Sequence, residues 1–192
     1  SQVIGAVQRA SGPDTVVMCA AGTMPGELHK LWKAPRPGAY HMEYGYSCMG
    51  YEIAGAIGIK MAEPDRDVVC FAGDGDFQMT SQELATAAQA GAQPVVLILN
   101  NGIYGTIRAH QERHYPARVS GTTMVSPDFA ALARSYGFHG ERVSRTEDFA
   151  AAFDRALASE TGAVLDLDIS EEALTPRVTL SKMRAAAQKS GR

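Results

Sequence analysis

From Val95 to Leu99 the chain reads VVLIL, apolar at every position, between Pro94 and the pair Asn100-Asn101. That run restricts the fold more than any other feature. A strand with one wet face alternates apolar and polar residues. A strand without alternation must be covered on both faces, as in a parallel sheet between two helical layers. The same character recurs at Thr15–Ala20 (TVVMCA), Asp67–Ala72 (DVVCFA) and Ala163–Ile169 (AVLDLDI). Each run is short, rich in β-branched residues and bounded by turn formers, which predicts buried strands.

The intervening segments predict helices. Ser1–Ala10 spaces Val3, Ile4 and Val7 helically before the breaker Ser11-Gly12-Pro13-Asp14. Met49–Met61 carries small residues (Gly50, Ala54, Gly55, Ala56, Gly58) suited to close packing on a sheet. Thr80–Ala90 is a run of good helix formers closed by Gly91. Ser126, with Pro127 next and Gly137 beyond, predicts a capped helix through Tyr136. Thr146 predicts another cap, for a helix through Glu160 with Phe153 and Leu157 on one face. Gly22–Gly45 is Pro- and Gly-rich and reads as one long loop, a feature that is often functional. Strand and helix alternate, so the expected fold is α/β, a three-layer αβα sandwich with a mainly parallel sheet. Residues 1–175 read as one domain and residues 176–192 as a helical tail. The basic residues of that tail, Lys182, Arg184, Lys189 and Arg192, form a solvated face.

Composition narrows the function classes. Net charge is -3, with 18 basic and 21 acidic residues and no basic cluster, so no nucleic-acid partner is expected. No apolar stretch reaches the ~18 residues of a membrane helix, so no membrane is expected either. Cys19, Cys48 and Cys70 are odd in number and lack a CxxC pair. That argues against a disulfide framework or zinc site and for a reducing, cytoplasmic setting. After Gly73 and Gly75 the third glycine of a dinucleotide fingerprint is replaced by Gln78, and no GxxxxGK[ST] loop occurs.

Two strand tips remain to be explained. Asp74 follows one strand and Asn101 the next, and a right-handed crossover puts both tips on one edge of the sheet. Ligands of such sheets bind outside the carboxyl ends of the strands. Gly73 and Gly75 allow a sharp turn and a close approach. A carboxylate and an amide oxygen are hard ligands suited to Mg²⁺, which takes few protein oxygens beside water and phosphate. The pair reads as a magnesium–diphosphate anchor. From the residues alone, a helix cap at Asp74 and a turn at Asn100-Asn101 read equally well.

GDGDF, then a helix, then ILNNGIYG resembles the signature of thiamine-diphosphate enzymes, and the preceding CMGYEIAGAIGIKMAEPDRDVVCFAGDG resembles the acetolactate synthase and pyruvate oxidase group. The chain is identified as a member of that family, its C-terminal diphosphate-binding (PP) domain. MPGELHKLW and EYGYSCMGYEIAG are similar to the trihydroxycyclohexanedione hydrolases, which open a ring. The resemblance implies thiamine diphosphate and Mg²⁺ as cofactors. It implies that Asp74, the Asn101 side chain and the Ile103 carbonyl bind the metal. Gly73, Gly75, Asp76, Tyr104, Gly105 and Thr106 would line the diphosphate, with Thr23 and Met24 on a loop that touches it. Ser47 and Cys48 fall where the aminopyrimidine is met, Cys48 as a small packed residue. Met49 matches the apolar wedge that bends the cofactor so that its 4′-amino group nears the thiazolium C2, which becomes an ylid. Position 76 is an exception, because many relatives carry Ser, Ala or Gly there. A carboxylate beside a diphosphate repels it unless it turns outward or meets the metal shell.

The family acts on 2-oxo acids or diketones, making or breaking C–C bonds beside a carbonyl. Ring opening of a cyclic 1,2-dione and a non-catalytic assembly role are the alternatives. An essential glutamate comes from a PYR domain of the same or another subunit, for which this chain has no room. The isolated chain is therefore expected to catalyse little and to form part of a homo-oligomer. Glu27, Glu43 and Glu52 are candidate acids, with Glu52 expected to be paired or exposed. His29, Trp32 and His41 either face a substrate or pack in the long loop. His110, Glu112 and His114 read as a solvated helix face rather than a zinc pair.

Overall fold

The uninterrupted apolar runs become the centre of a six-stranded, wholly parallel sheet in the computed structural model, which describes residues 1–175 and 177–190. The strands are β1 (Val16–Cys19), β2 (Tyr40–Met42), β3 (Val68–Gly73), β4 (Val95–Asn100), β5 (His139–Val143) and β6 (Ala163–Asp168). Their spatial order is β2-β1-β3-β4-β6-β5. The helices are α1 (Gln2–Ala10), α2 (Met24–Leu31), α3 (Tyr51–Ala62), α4 (Asp74–Thr80), α5 (Glu83–Ala90), α6 (Gly105–His114), α7 (Phe129–Ser135), α8 (Phe149–Leu157) and α9 (Leu180–Lys189).

Alternate residues of each central strand feed opposite cores, because side chains along a strand point to opposite faces. Val17, Val69, Phe71, Leu97 and Leu165 join Ile4 and Val7 of α1, Leu28 of α2, and Phe149 and Phe153 of α8. Val16, Met18, Cys70, Val96, Ile98 and Val164 join Ile53 and Ile57 of α3, Phe77 of α4, Leu84 of α5 and Phe129 of α7. The result is the expected αβα sandwich. Register is direct: Val69 pairs with Val95, and Leu97 with Leu165. Asp166 of β6 is buried and accepts a hydrogen bond from Asn100 Nδ2 at 2.9 Å.

The rims depart from the sequence reading. Gly22–Gly45 is no single loop, since it contains α2 and the edge strand β2. Pro25 lies in the first turn of α2, where a missing N–H costs nothing. The half-exposed β5, HGERV, was not foreseen because an edge strand need not be apolar. Helix begins at Asp74 itself rather than at Thr80, and two short helices replace one. Asp128, not Ser126, caps α7, its Oδ1 accepting from Ala131 N–H at 2.8 Å. Thr146 opens a 3₁₀ turn (Thr146–Asp148) before α8, which stops at Leu157 rather than running to Glu160.

The basic tail was expected to be a solvated face. Lys182 and Lys189 are exposed, but Arg184 turns inward onto Glu112 of α6. Arg192 lies outside the described residues. Among the described residues no helix is long and apolar enough to cross a membrane.

Candidate functional site

The carboxyl ends of β1, β3 and β4 lie side by side and form the floor of a cleft of about 1100 Å³. Asp74 is the first residue of α4 and is 2% exposed. Its Oδ1 accepts from Gly75 N–H at 3.0 Å and its Oδ2 from Gly102 N–H at 2.8 Å. Burial pushes this carboxyl above the usual carboxylate range, and the Gly102 and Gly75 amides and the Ser126 hydroxyl oppose that shift. No cation pairs with it in the contacts of the described residues.

Asn101 stands one residue beyond β4. Its Oδ1 accepts from Ile103 N–H at 3.1 Å, which closes a tight turn through Gly102, whose φ of 67° is left-handed. Residues 122–124 hold that turn in place. Tyr104 N–H donates to Thr122 O at 3.0 Å, and Met124 N–H to Gly102 O at 2.8 Å. Gly102 N–H therefore links the two strand tips, and Asp74 and Asn101 come together as the sequence reading expected. Ile103 is 4% exposed and packs with Ala109, Leu174 and Leu180. This apolar plug seats α9 and the segment before it beneath the turn.

Gly75 brings the backbone close to two side chains of the cleft. A Cβ there would lie 2.8 Å from Tyr104 Cε1 and 3.2 Å from Met49 Cε. Tyr104 and Met49 thus flank a groove that only a glycine keeps open. Tyr104, Gly105 and Thr106 line the cleft from the start of α6, and Thr23 and Met24 from the start of α2. Ser47 lines it with φ of 52°, its hydroxyl near Ala20 O at 3.5 Å. Gly73 and Asp76 complete the wall above β3. Among the described residues no cluster of three or more His, Cys, Asp or Glu side chains could hold a metal. A metal here would meet one carboxylate and neutral oxygens, a donor set that suits Mg²⁺ with phosphate and water.

Several candidates fall elsewhere. Cys48 was expected to be packed beside the ligand, but it is exposed and absent from the cleft wall. Its N–H donates to Glu43 Oε2 at 2.8 Å and Tyr46 N–H to Glu43 Oε1 at 2.9 Å. Those amides, Tyr46 first, hold the Glu43 carboxyl below its usual range, so it organises a loop. His29, Trp32 and His41 do not line the cleft. His29 lies near the Tyr40 ring, Trp32 is buried, and His41 Nε2 is 3.2 Å from Gly38 O. Glu27 does line the cleft. His110 and His114 stack on the outer face of α6, whereas Glu112 between them is wholly buried rather than solvated.

Glu52 was expected to be paired or exposed and is neither. It has no accessible surface, and its carboxyl oxygens have no partner among the described residues. Burial and then the nearby Asp76 push it up to about 8. Asp76 itself turns back into the protein, its Oδ2 accepting from Gly73 N–H at 3.1 Å. That fixes one of its two oxygens against the backbone, a placement the sequence did not suggest, although the residue still lines the cleft. Ser126 was also missed. Its hydroxyl donates to Asn100 Oδ1 at 2.9 Å and lies 3.4 Å from Asp74 Oδ2, tying both strand tips together. Ser-Pro before an apolar run looked like a helix start, and no local signal marks this bridge.

Comparison with known proteins agrees with this geometry. The 3D-(3,5/4)-trihydroxycyclohexane-1,2-dione hydrolase of Halalkalibacterium halodurans is 39% identical over 169 residues, covering 85% of this chain and 26% of that protein. The enzymes of the same name from Bacillus subtilis and Bacillus licheniformis are 36% and 35% identical over 84% and 88% of the chain, and 26% and 28% of their own lengths. The chain thus spans about a quarter of these relatives. Residues 20–167 match the family described as thiamine pyrophosphate enzyme, C-terminal TPP binding domain. With the strand tips, the glycine groove and this match on record, the chain belongs to the thiamine pyrophosphate enzyme family and carries its C-terminal cofactor-binding domain.

Proposed function

We propose that this chain is the cofactor-anchoring part of a hydrolase that opens a cyclic 1,2-dione. The single observation that supports the anchor is the buried Asp74 carboxylate, solvated by Gly102 and Gly75 N–H groups instead of a cation. Asp74, the Asn101 side chain and the Ile103 carbonyl would hold Mg²⁺. Gly73, Gly75, Tyr104, Gly105 and Thr106 would receive the diphosphate, with Thr23 and Met24 across the cleft. The backbone of Asp76 joins them, since its carboxylate is turned away. Ser47 would meet the aminopyrimidine and Met49 would support the bend of the cofactor. Bound thiamine diphosphate supplies nucleophilic addition to a carbonyl and a sink for the electrons released. The chain's own residues bind, orient and exclude water, and the proton-moving glutamate comes from a PYR domain.

The relatives' names favour ring opening over the wider reading of lyase or carboligase chemistry on 2-oxo acids. The PYR partner would seat on the rim of the cleft. Tyr46 is 92% and Tyr44 79% exposed in the segment that leads to Ser47, and Tyr51 and Met79 are exposed as well, more apolar surface than an isolated domain needs. Self-association follows, and a clean monomer at high concentration would count against it.

Titration calorimetry of thiamine diphosphate tests the anchor. Binding should need Mg²⁺ and vanish in Asp74→Ala; Mg²⁺-independent binding that survives the substitution would sink it. Product analysis of the full-length protein with a cyclic dione and with pyruvate decides the reaction, and turnover of pyruvate alone would refute ring opening.

A further inference from the structure

The Glu52 carboxyl has no solvent access and neither oxygen has a partner among the described residues. It projects from the first turn of α3, which packs on α4. The polar side chain that bears on it is Asp76, at 5% exposure also nearly buried. The other titratable groups near it are the thiols of Cys19 and Cys70, and no cation is among them. Cys70 Sγ donates to the Glu52 backbone carbonyl at 3.4 Å, so it does not serve the carboxyl.

Two carboxylates cannot face each other in a dry interior without a proton between them. One oxygen of Asp76 is already fixed. Oδ2 lies against Gly73, 2.7 Å from where a Cβ would stand, and accepts the Gly73 N–H. The remaining oxygen, Oδ1, either meets Glu52 or swings toward the cleft that Asp76 lines.

We propose that Glu52 is a positioning residue for the diphosphate cradle: the O–H of its carboxyl donates a hydrogen bond to Asp76 and keeps that carboxylate turned back on Gly73. Both Asp76 oxygens are then occupied, and neither confronts an incoming phosphate. Glu52 touches no ligand and acts only through Asp76. The inference rests on the reading of the cleft as a diphosphate site. It also accounts for an acid at position 76, because a carboxylate is tolerated beside a phosphate only where something holds it away.

Two measurements on the chain decide it. The first needs no ligand: infrared difference spectra of wild type against Glu52→Gln at neutral pH. The carbonyl band of a protonated carboxyl should be present in the wild type and lost in the variant. No such band would overturn the hydrogen bond. The second is calorimetry of thiamine diphosphate with Mg²⁺ for Glu52→Gln, Glu52→Leu, Asp76→Ser and the double variant Glu52→Leu/Asp76→Ser. The Gln variant, whose amide still donates, should bind as the wild type does. Glu52→Leu should weaken binding about tenfold, the worth of one hydrogen bond. In the Asp76→Ser background the same change should have no effect, because the group it acts through is gone. Equal weakening in both backgrounds would overturn the proposal. Failure of the wild type to bind would strike the reading of the cleft instead, and the infrared result would still decide the hydrogen bond.

Discussion

Two corners of this molecule bury an acid, and they do it in opposite ways. At the strand tips, Asp74 is solvated by backbone amides and a hydroxyl, with no positive charge supplied by the described residues. Between α6 and α9, Glu112 meets Arg184 through both of its oxygens and also accepts from Ala117 N–H at 3.0 Å. The second corner is electrically complete. The first is geometrically complete but keeps a negative charge without a counter-charge. A buried carboxylate that has its own arginine serves the fold, whereas one held only by amides is ready to receive a cation from outside. The source of the counter-charge separates the two more clearly than burial does.

The comparison can be broken in stages. Asp74→Asn should lower Mg²⁺-dependent affinity for thiamine diphosphate by more than about a hundredfold, beyond the usual effect of outer-shell changes at metal sites. In the ligand-free protein it removes an uncompensated buried charge but sets an amide NH2 against one of the two N–H donors, so stability should change by no more than about 1 kcal/mol either way. Calorimetry and thermal unfolding of the same sample check both halves.

Arg184→Met should do the reverse. It leaves Glu112 bare and costs about 2 kcal/mol in urea unfolding, less than a fully buried pair because Arg184 is itself 39% exposed. Mg²⁺ binding should persist. If cofactor affinity collapses as well, the two corners are not independent.

Acid should erase that cost. Arg184 holds the Glu112 carboxyl below its usual range, chiefly through the hydrogen bonds between them. A group depressed in the folded state stabilises it fully above its unfolded value of about 4.3, and loses that contribution as pH falls through the lower folded value. The gap between wild type and Arg184→Met should therefore narrow below about pH 4 in urea titrations. A gap that widens in acid would contradict the pairing.

The smallest effect is expected at Ser126. Ser126→Ala removes the O–H that joins the two tips, at a cost of about 1 kcal/mol. A shift in urea midpoint with only a few-fold loss of cofactor affinity would place Ser126 in support of the turn. A loss as large as that of Asp74→Asn would make it part of the anchor.

Much of this was legible in the residues, for a physical reason. The central strands have no wet face, so Val68–Gly73 and Val95–Asn100 declare themselves by composition. The pairing of Asp74 with Asn101 follows from where a right-handed crossover must return. The rims were not legible. Tyr40–Met42 and His139–Val143 are strands only because a neighbour offers its free edge. Asp128 out-competed Ser126 as a cap by two residues, a margin within which local signals do not decide. Glu52 was misjudged because helical spacing locates a face, not what the next element brings to it. Its neighbour Asp76 arrives from α4, where the helix was expected to start only at Thr80.

The plug beneath Ile103 has a consequence for the order in which the protein is made. Ile103 and Ala109 leave the ribosome well before Leu174 and Leu180, which pack against them. At the usual pace of synthesis this is a delay of several seconds. During that interval β1 to β4 and the Asp74–Gly102 link have all their residues, while β5, β6 and the residues that pack beneath the turn are still being made. Maturation of the anchor thus waits on a helix made long after the residues it supports, and a nascent chain stalled in that window would carry both strand tips of the anchor without the residues that close the turn from below.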